Sequence, residues 1–162
     1  MRPPSVPRGC TSRDCEETVN NPSTPETPRL AAQAIIQNRE GKFLVVNHLL
    51  KKEAPWRFPG GKLDSVELSK STGPILAARR ELLEELGVWA DPFAFEPLGT
   101  EDIFIDGDFW RVHYFLIRSR NWIGAPASRE PEKLGELCWV TKEELLALDI
   151  SGNMRAVAER AL

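Results

Sequence analysis

The stretch that decides the fold is Ile75-Leu-Ala-Ala-Arg-Arg80-Glu81-Leu-Leu-Glu84-Glu85-Leu86-Gly87-Val88. At about 100° per residue, the apolar residues at positions 75, 78, 82 and 86 form one stripe, which predicts an amphipathic helix packed on a core. Upstream, the segment 71 to 74 supplies N-cap residues and a proline suited to a first turn, and Gly87 supplies the C-terminal stop. The sequence therefore predicts a helix between these two signals.

Three glutamates lie beside the apolar stripe of this helix. Glu81, Glu84 and Glu85 are spaced i, i+3 and i+4, so they fall within an arc of about 100° by the same arithmetic. Like charges at this spacing repel, and a hard divalent cation such as Mg²⁺ would relieve the repulsion. The simpler alternative is a solvated acidic face balanced by Arg79 and Arg80. The helix alone does not decide between these two interpretations.

The segment before the helix, Phe58-Pro59-Gly60-Gly61-Lys62-Leu63-Asp64, favours a binding site. Paired glycines after a strand allow the backbone to approach a ligand closely and to direct a carbonyl inward, although an ordinary turn is the alternative for the dipeptide alone. The segment thus predicts a strand, a glycine bend, a loop and a carboxylate helix in succession. This combination favours a binding site more than the helix alone does.

The rest of the chain alternates strand and helix signals. Leu30 to Gln37 and Phe43 to Asn47 are apolar runs joined by a predicted hairpin connection at Asn38 to Gly41. Further strands are predicted within 93–100, 102–105, 109–117 and 136–140. A capping box at Thr141 opens a predicted helix to Leu148, and a last helix is predicted over 153–161. Mixed strands with separated helices predict an α+β layered domain.

Length and charge exclude several classes of protein. The 162 residues include 24 acidic and 21 basic side chains, giving a formal charge of -3. One domain is expected, and nucleic acid is an unlikely main partner because binding a phosphate backbone needs an excess of clustered Lys and Arg. No apolar run approaches the roughly 18 residues of a membrane span, and the N-terminus lacks the apolar stretch of a secretory signal. We therefore expect a cytoplasmic protein without a membrane partner.

The N-terminal segment differs from the rest of the chain in composition. Residues 1 to 28 contain six of the 13 prolines and few apolar side chains. Such a segment cannot bury enough surface to offset the entropy of ordering it, so we predict a flexible tail over 1–28 and a single domain over 29–162.

The carboxylate helix and the glycine bend together resemble the signature of the Nudix hydrolase family, in its MutT-like form. That signature runs Gly-x5-Glu-x7-Arg-Glu-U-x-Glu-Glu-x-Gly-U, where U is aliphatic, and the nine positions from Arg80 to Val88 match its second half. Gly61 and Glu67 match its first half. Twelve residues, 68 to 79, separate Glu67 from Arg80, whereas the signature has seven, so a longer loop is predicted before the helix. The resemblance implies an α/β/α sandwich with a mixed β-sheet.

The resemblance also implies an activity. Family members hydrolyse a diphosphate bond attached to a nucleoside, and we expect here cleavage of a nucleoside or deoxynucleoside triphosphate, an oxidised one among the candidates, to the monophosphate and pyrophosphate. Hydrolysis of ADP-ribose or another nucleoside diphosphate derivative is an alternative. A non-catalytic Nudix-fold module that binds a nucleotide is a further alternative, and the sequence leaves a homodimer open.

Site residues follow from the same resemblance, position by position. Mg²⁺, or alternatively Mn²⁺, is expected at the carbonyl of Gly60 and at carboxylates, and catalysis is expected from two of these carboxylates with an orienting arginine. Aromatic side chains near loops are candidates for stacking on a base. The predicted metal ligands are Gly60, Glu81, Glu84, Glu85 and the more remote Glu132, with Glu130 as the alternative to Glu132. The predicted catalytic residues are Glu81, Arg80 and Glu84, and the predicted substrate-binding residues are Gly61, Lys62, Trp56 and Tyr114.

Overall fold

The computed structural model describes residues 27–162. The predicted tail therefore lies outside the described residues except at its last two positions, and β1 begins at Arg29. The strands are β1 (Arg29–Ile36), β2 (Phe43–His48), β3 (Trp56–Arg57), β4 (Gly60–Lys62), β5 (Trp89–Ala90), β6 (Glu96–Ile105), β7 (Asp108–Ile117), β8 (Trp122–Ile123) and β9 (Leu134–Val140). The α-helices are α1 (Ser65–Leu68), α2 (Gly73–Glu81), α3 (Lys142–Ala147) and α4 (Gly152–Ala161).

A mixed four-stranded sheet in the order β4-β1-β7-β6 forms the centre of the molecule. β1 runs parallel to β7, whereas the β1–β4 and β6–β7 pairs are antiparallel. Gln33 on β1 is the register partner of both Gly60 on β4 and Tyr114 on β7, so these three residues form one row across the sheet. A second sheet has the order β3-β2-β9, and β5 pairs with β8.

The central sheet is covered on both faces, which confirms the predicted α+β sandwich. Along β1, Ala32, Ala34 and Ile36 pack in one apolar cluster with residues of α2, including Ala78. Ile35 packs in a second cluster with residues of α4. Because side chains alternate between the two faces of a strand, the period-two pattern of β1 separates the two helical layers.

The predicted hairpin between the first two strands is wrong. β1 and β2 belong to different sheets and meet only at an isolated bridge between Gln37 and Phe43. Both edges of β1 are already paired, with β4 and β7, so no edge remains for a ladder with β2. The connection still turns tightly, since the Asn38 side chain accepts hydrogen bonds from the amides of Glu40 and Lys42.

The C-terminal helices agree with the sequence signals. Thr141 accepts a hydrogen bond from the Glu144 amide, and the Glu144 carboxylate accepts one from the Thr141 amide, which confirms the capping box before α3. The last predicted helix corresponds to α4, which begins one residue earlier than expected. Among the described residues, no helix is both long and apolar enough to cross a membrane.

Candidate active site

The glycine bend of β4 lies directly against two glutamates of the carboxylate helix. The Gly60 amide donates a hydrogen bond to Glu85 Oε2 at 3.1 Å. A Cβ atom on Gly61 would overlap the Glu81 carboxylate, and one on Gly60 would overlap the Ala32 carbonyl oxygen. Two residues without side chains are therefore required where β4 passes between β1 and the helix.

The carboxylate helix does not continue as a regular α-helix. After α2 ends at Glu81, Leu82–Leu86 form a π-helical turn, and Gly87 ends it with a left-handed φ of 70°. The wider turn rotates successive residues by less than the ~100° of an α-helix, so the regular-helix spacing does not hold across Leu82–Leu86. The side chains of Glu81 and Glu85 are 11% and 3% exposed, whereas that of Glu84 is 54% exposed.

The three carboxylates of the predicted arc differ in burial. Glu81 and Glu85 face the same cleft, while Glu84 is exposed to solvent and pairs with Arg80 at 3.1 Å. At about 100° per residue Glu84 already lies farthest of the three from the apolar stripe, and it still shares Arg80 Nη1 with Glu81. The structure thus brings together a buried pair of carboxylates with Glu84 on the outer edge.

Arg80 connects the helix to the segment before it. Its Nε and Nη2 donate to the two oxygens of Glu67 at 2.9 and 3.1 Å, and its Nη1 donates to Glu81 at 2.8 Å. Nη2 also donates to the Lys62 carbonyl at 3.0 Å. These bonds raise the pKa of Arg80, the bond to Glu67 most strongly. Arg80 therefore holds the Glu81 carboxylate through a charge-assisted hydrogen bond.

Lys133 provides the counter-charge for Glu85. Its Nζ lies 3.2 Å from Glu85 Oε1 and 2.8 Å from Glu130 Oε2. Glu132, the predicted remote metal ligand, is exposed and makes no side-chain hydrogen bond or ion pair within residues 27–162. Glu130, three residues before the bridging lysine, is the acidic residue of this segment that connects to the buried pair.

The charged forms of the two buried carboxylates, Glu81 and Glu85, are destabilised by their surroundings. Burial raises the pKa of both Glu81 and Glu85, with a further increase at Glu85 from the neighbouring charge of Glu81. Arg80 lowers the pKa of Glu81 and Lys133 lowers that of Glu85, but in each case burial is the larger effect. Two carboxylates held close together in a partly desolvated place favour a bound cation.

The donor atoms suit a hard divalent cation, although the side chains do not converge as a finished site. No group of three or more His, Cys, Asp or Glu side chains in the described part of the chain is already arranged to hold an ion. The reason is local: Glu84 is paired with Arg80, and Glu85 is paired with Lys133. The two buried carboxylates are nevertheless the oxygen ligands that Mg²⁺ and Mn²⁺ prefer.

A cleft of about 900 Å³ opens beside these carboxylates. Three of the predicted substrate-binding residues, Trp56, Gly61 and Lys62, line it. The Lys62 ammonium lies 5.1 Å from the centre of the Trp110 ring, a cation–π contact at the side of the cleft.

The position of Tyr114 contradicts its predicted stacking on a substrate. The ring is fully buried in the core, and its hydroxyl accepts a hydrogen bond from Asn153 Nδ2 at 2.6 Å. Burial raises the pKa of this hydroxyl well above its usual range. Tyr114 therefore has no free ring face, and its role is to support the floor of the cleft through Asn153.

Many of the cleft residues were not predicted from the sequence. Among them are Gln33, His48, Arg57 and Lys133. Gln33 Oε1 and His48 Nδ1 are buried without a hydrogen-bond partner in residues 27–162. A signal existed for Gln33, the one polar side chain inside the otherwise apolar strand after Arg29, and for Lys133, three residues after Glu130. No local pattern distinguishes His48 or Arg57.

Comparison with known proteins agrees with this geometry. The family model of the NUDIX domain matches residues 27–161. An uncharacterised Nudix hydrolase of Yersinia pestis is 28% identical over 120 residues, 72% of this chain and 60% of that protein. The phosphatase NudJ of Escherichia coli K12 is 40% identical over 62 residues, 38% of this chain and 37% of that protein. The chain thus spans less than two thirds of the length of either curated relative.

A solved structure gives the same result for the fold. The MutT NUDIX hydrolase of Burkholderia pseudomallei superposes with a TM-score of 0.70 at 26% identity, covering 85% of this chain and 100% of that one. The sandwich and the acidic helix against the glycine bend agree with a NUDIX domain. The chain belongs to the NUDIX family.

Proposed function

We propose that the chain is a divalent-metal-dependent nucleotide pyrophosphohydrolase, which cleaves a nucleoside or deoxynucleoside triphosphate to the monophosphate and pyrophosphate. The observation that carries this proposal is the buried pair of Glu81 and Glu85 at the edge of a cleft of about 900 Å³. Cavities of roughly 300 to 1,000 Å³ take ligands of this size. The volume of the cleft therefore supports a nucleotide as ligand, and we expect its phosphates to lie beside the carboxylates.

Cations at the cleft favour a polyphosphate. Lys51, Lys52, Lys62 and Lys133 all line it. Lysine binds phosphate as a point charge, so individual lysines of the wall can contact a polyphosphate, although the five acidic side chains that also line the cleft balance the basic ones in number. Lys133 pairs with Glu85 at 3.2 Å and with Glu130 at 2.8 Å, so one cation of the cleft lies beside the buried pair.

A divalent ion bound by Glu81, Glu84, Glu85 and the Gly60 carbonyl would neutralise phosphate oxygens and acidify water. The chain's own residues orient the reaction. Arg80 fixes Glu81 through the 2.8 Å bond and keeps that carboxylate ready to accept a proton from the attacking water. The raised pKa of Glu81 makes it a better proton acceptor than an exposed carboxylate. Glu84, on the outer edge, shares Arg80 with Glu81.

A nucleotide panel tests this proposal. The full chain is incubated with Mg²⁺ or Mn²⁺ and natural and oxidised nucleoside triphosphates, ADP-ribose and other nucleoside diphosphate derivatives, and pyrophosphate and monophosphate are measured. We expect pyrophosphate from triphosphates, and a loss of at least about a hundredfold in kcat with Glu85→Gln. Glu159→Gln changes an exposed glutamate of α4 and serves as the matched control.

Three results would contradict the proposal. Release of monophosphate from ADP-ribose, with no cleavage of any triphosphate, would indicate that nucleoside diphosphate derivatives are the substrates instead. Tight nucleotide binding without turnover would indicate a non-catalytic module. Full activity of Glu85→Gln would exclude the buried carboxylate pair from the reaction.

A further inference from the structure

Lys133 already occupies a carboxylate that the proposed metal ion needs. Its ammonium lies 3.2 Å from Glu85 Oε1, and Glu85 Oε2 accepts a hydrogen bond from the Gly60 amide at 3.1 Å. Both oxygens of this carboxylate are therefore engaged in the structure. Two cations within ~4 Å of each other repel strongly in a partly desolvated place, so the ammonium and a divalent ion compete for Glu85.

The lysine is the mobile member of this pair. The Glu85 side chain is 3% exposed and is held by the Gly60 amide, whereas the Lys133 side chain is 34% exposed and has a flexible four-carbon stem. The backbone of Lys133 is fixed, since its amide donates to the Glu130 carbonyl and its carbonyl accepts from the Leu49 amide, both at 2.9 Å. The ammonium can therefore leave Glu85 by rotation of its own side chain.

The segment that carries Lys133 is attached to the carboxylate helix. The Arg129 amide donates to the Glu85 carbonyl at 2.9 Å, and the Ala127 amide donates to the Leu86 carbonyl at 3.2 Å. A Cβ atom on Gly87 would overlap the Arg129 guanidinium, so the glycine that ends the helix also allows this close contact. These contacts keep the Lys133 side chain within reach of both Glu85 and the cleft that it lines.

Glu130 restricts where the ammonium goes once it leaves Glu85. The Glu130 carboxylate lies 2.8 Å from the Lys133 Nζ, and its side chain is 34% exposed. An ammonium has three donors, so it can keep the bond to Glu130 and still donate to another acceptor in the cleft. A phosphate oxygen is an acceptor of this kind, and lysine binds it as a point charge.

We propose that Lys133 is the resident counter-cation of Glu85, that a divalent ion displaces it, and that the released ammonium then binds a phosphate of the substrate. The proposal rests on the proposed function only in taking the ligand to be a phosphate compound bound with a divalent ion. Without the ion, the ammonium reduces the cost of a buried, charged carboxylate. The same side chain therefore weakens binding of the metal alone and strengthens binding of a polyphosphate in the presence of the metal.

Metal binding to the full chain without nucleotide tests the first half. Electron paramagnetic resonance of free Mn²⁺ measures the affinity of the wild type and of Lys133→Met, which has a similar length and no charge. We expect the variant to bind Mn²⁺ at least about tenfold more tightly, because the competing cation is absent. Lys133→Arg keeps the charge and is expected to remain within about threefold of the wild type.

Nucleotide binding at saturating Mg²⁺ tests the second half. Calorimetry uses α,β-methylene-ATP, which is not cleaved between the α and β phosphates. Lys133→Met is expected to bind it at least about tenfold more weakly, the lower range for a hydrogen bond to a charged group. One substitution thus shifts the two affinities in opposite directions, whereas a general defect of the fold would weaken both.

The matched control is Lys142→Met, which removes the same charge at the start of α3, outside the described lining of the cleft. Lys142 donates to the Glu159 carbonyl at 3.3 Å. Both affinities of this variant are expected to equal those of the wild type. The melting temperature of each variant, with and without Mg²⁺, confirms folding before the affinities are compared.

The possible failures are distinct. An unchanged or weaker Mn²⁺ affinity of Lys133→Met would overturn the proposal and would leave Lys133 as a structural partner of Glu85. An unchanged nucleotide affinity would also overturn it, since the ammonium would then not reach the phosphates. Opposite shifts in the two affinities, with no pyrophosphate released from any nucleotide, would support the assignment of Lys133 and refute the proposed function instead.

Discussion

Arg80 binds Glu67 through two parallel hydrogen bonds, from Nε to Oε1 at 2.9 Å and from Nη2 to Oε2 at 3.1 Å. The two residues are 13 positions apart, and the five residues additional to the family signature lie between them. The exposed turn at 69–72 accommodates this length, while α1 and the start of α2 remain in contact. The longer loop therefore extends into solvent and leaves the ion pair intact.

Removing the Glu67 carboxylate is expected to destabilise the fold. Glu67→Ala leaves a partly buried arginine without its bidentate partner and also removes half of the capping box of α1. Breaking a buried pair costs about 3 to 5 kcal/mol, and we expect about 2 to 3 kcal/mol here because Arg80 keeps Glu81 and Glu84. Urea unfolding measures the change.

The matched control is Glu96→Ala, which breaks an exposed pair with Arg118. Exposed pairs contribute up to about 1 kcal/mol, so this variant should remain close to the wild type. If both variants lose the same stability, the Arg80–Glu67 pair has no special structural role.

The sequence predicts those parts of the site that depend on local patterns. The proline of the first turn, the apolar stripe and Gly87 specify a helix, although Thr72 makes no side-chain capping hydrogen bond, and the glutamates follow from their spacing. The exposure of Glu84 also follows, because at about 100° per residue it lies opposite the apolar stripe, whereas the π turn over Leu82–Leu86 does not follow from the spacing. Strand pairing also depends on residues that are distant in sequence. β2 pairs with β9 because β1 has no free edge, and nothing in residues 38 to 41 indicates this.

The glycine bend gives a second prediction. In Gly61→Ala, the new Cβ would overlap the carboxylate of Glu81, the far end of a flexible side chain that Arg80 holds in place. We expect the fold to persist, while the displaced carboxylate lowers kcat at least about tenfold, since small errors in position are costly in catalysis. Gel filtration, melting temperature and pyrophosphate release measure the outcome.

Gly152→Ala is the control for this substitution, because a Cβ at Gly152 has nothing within 4 Å. It is expected to keep full activity and to stabilise α4 by up to about 1 kcal/mol. Wild-type turnover by Gly61→Ala would show that Glu81 tolerates displacement. A loss of folding would show that the bend is required for structure.

Both histidines of the chain should resist protonation in the folded state. Burial lowers the pKa of His48, with further lowering by Arg57, Lys133 and Lys51, and burial also lowers that of His113. The unfolded chain then binds more protons than the folded chain as the pH falls through about 6.5. The stability that each neutral ring contributes is present above this pH and is lost below it.

Ring titration by NMR is expected to give a pKa below about 6.5 for His48 and His113. Urea unfolding at pH 7.5 and 5.5 measures how much stability is lost between the two pH values. The double variant with His48→Gln and His113→Gln should lose less than the wild type, because all other titrating groups are the same in both proteins. A pKa above 6.5 at His48 would indicate that an anion neutralises the surrounding cations.

The buried carboxylate pair predicts stabilisation by divalent ions. Glu81 and Glu85 raise each other's free energy in the charged state, and burial adds to this cost. If they hold Mg²⁺ as proposed, an ion concentration ten times the Kd stabilises the fold by about 1.4 kcal/mol through mass action. Thermal unfolding in MgCl₂ and in EDTA measures the shift, with NaCl at equal ionic strength as the salt control.

The Glu85→Gln variant identifies where the ion acts. It removes one buried negative charge, so its melting temperature without Mg²⁺ should equal or exceed that of the wild type, because repulsion and desolvation both decrease. Addition of Mg²⁺ should then have little effect, whereas Glu159→Gln, on the exposed face of α4, should respond like the wild type. An undiminished response of Glu85→Gln would assign the stabilising ion to another place in the chain, and the raised pKa of Glu85 would then reflect burial alone.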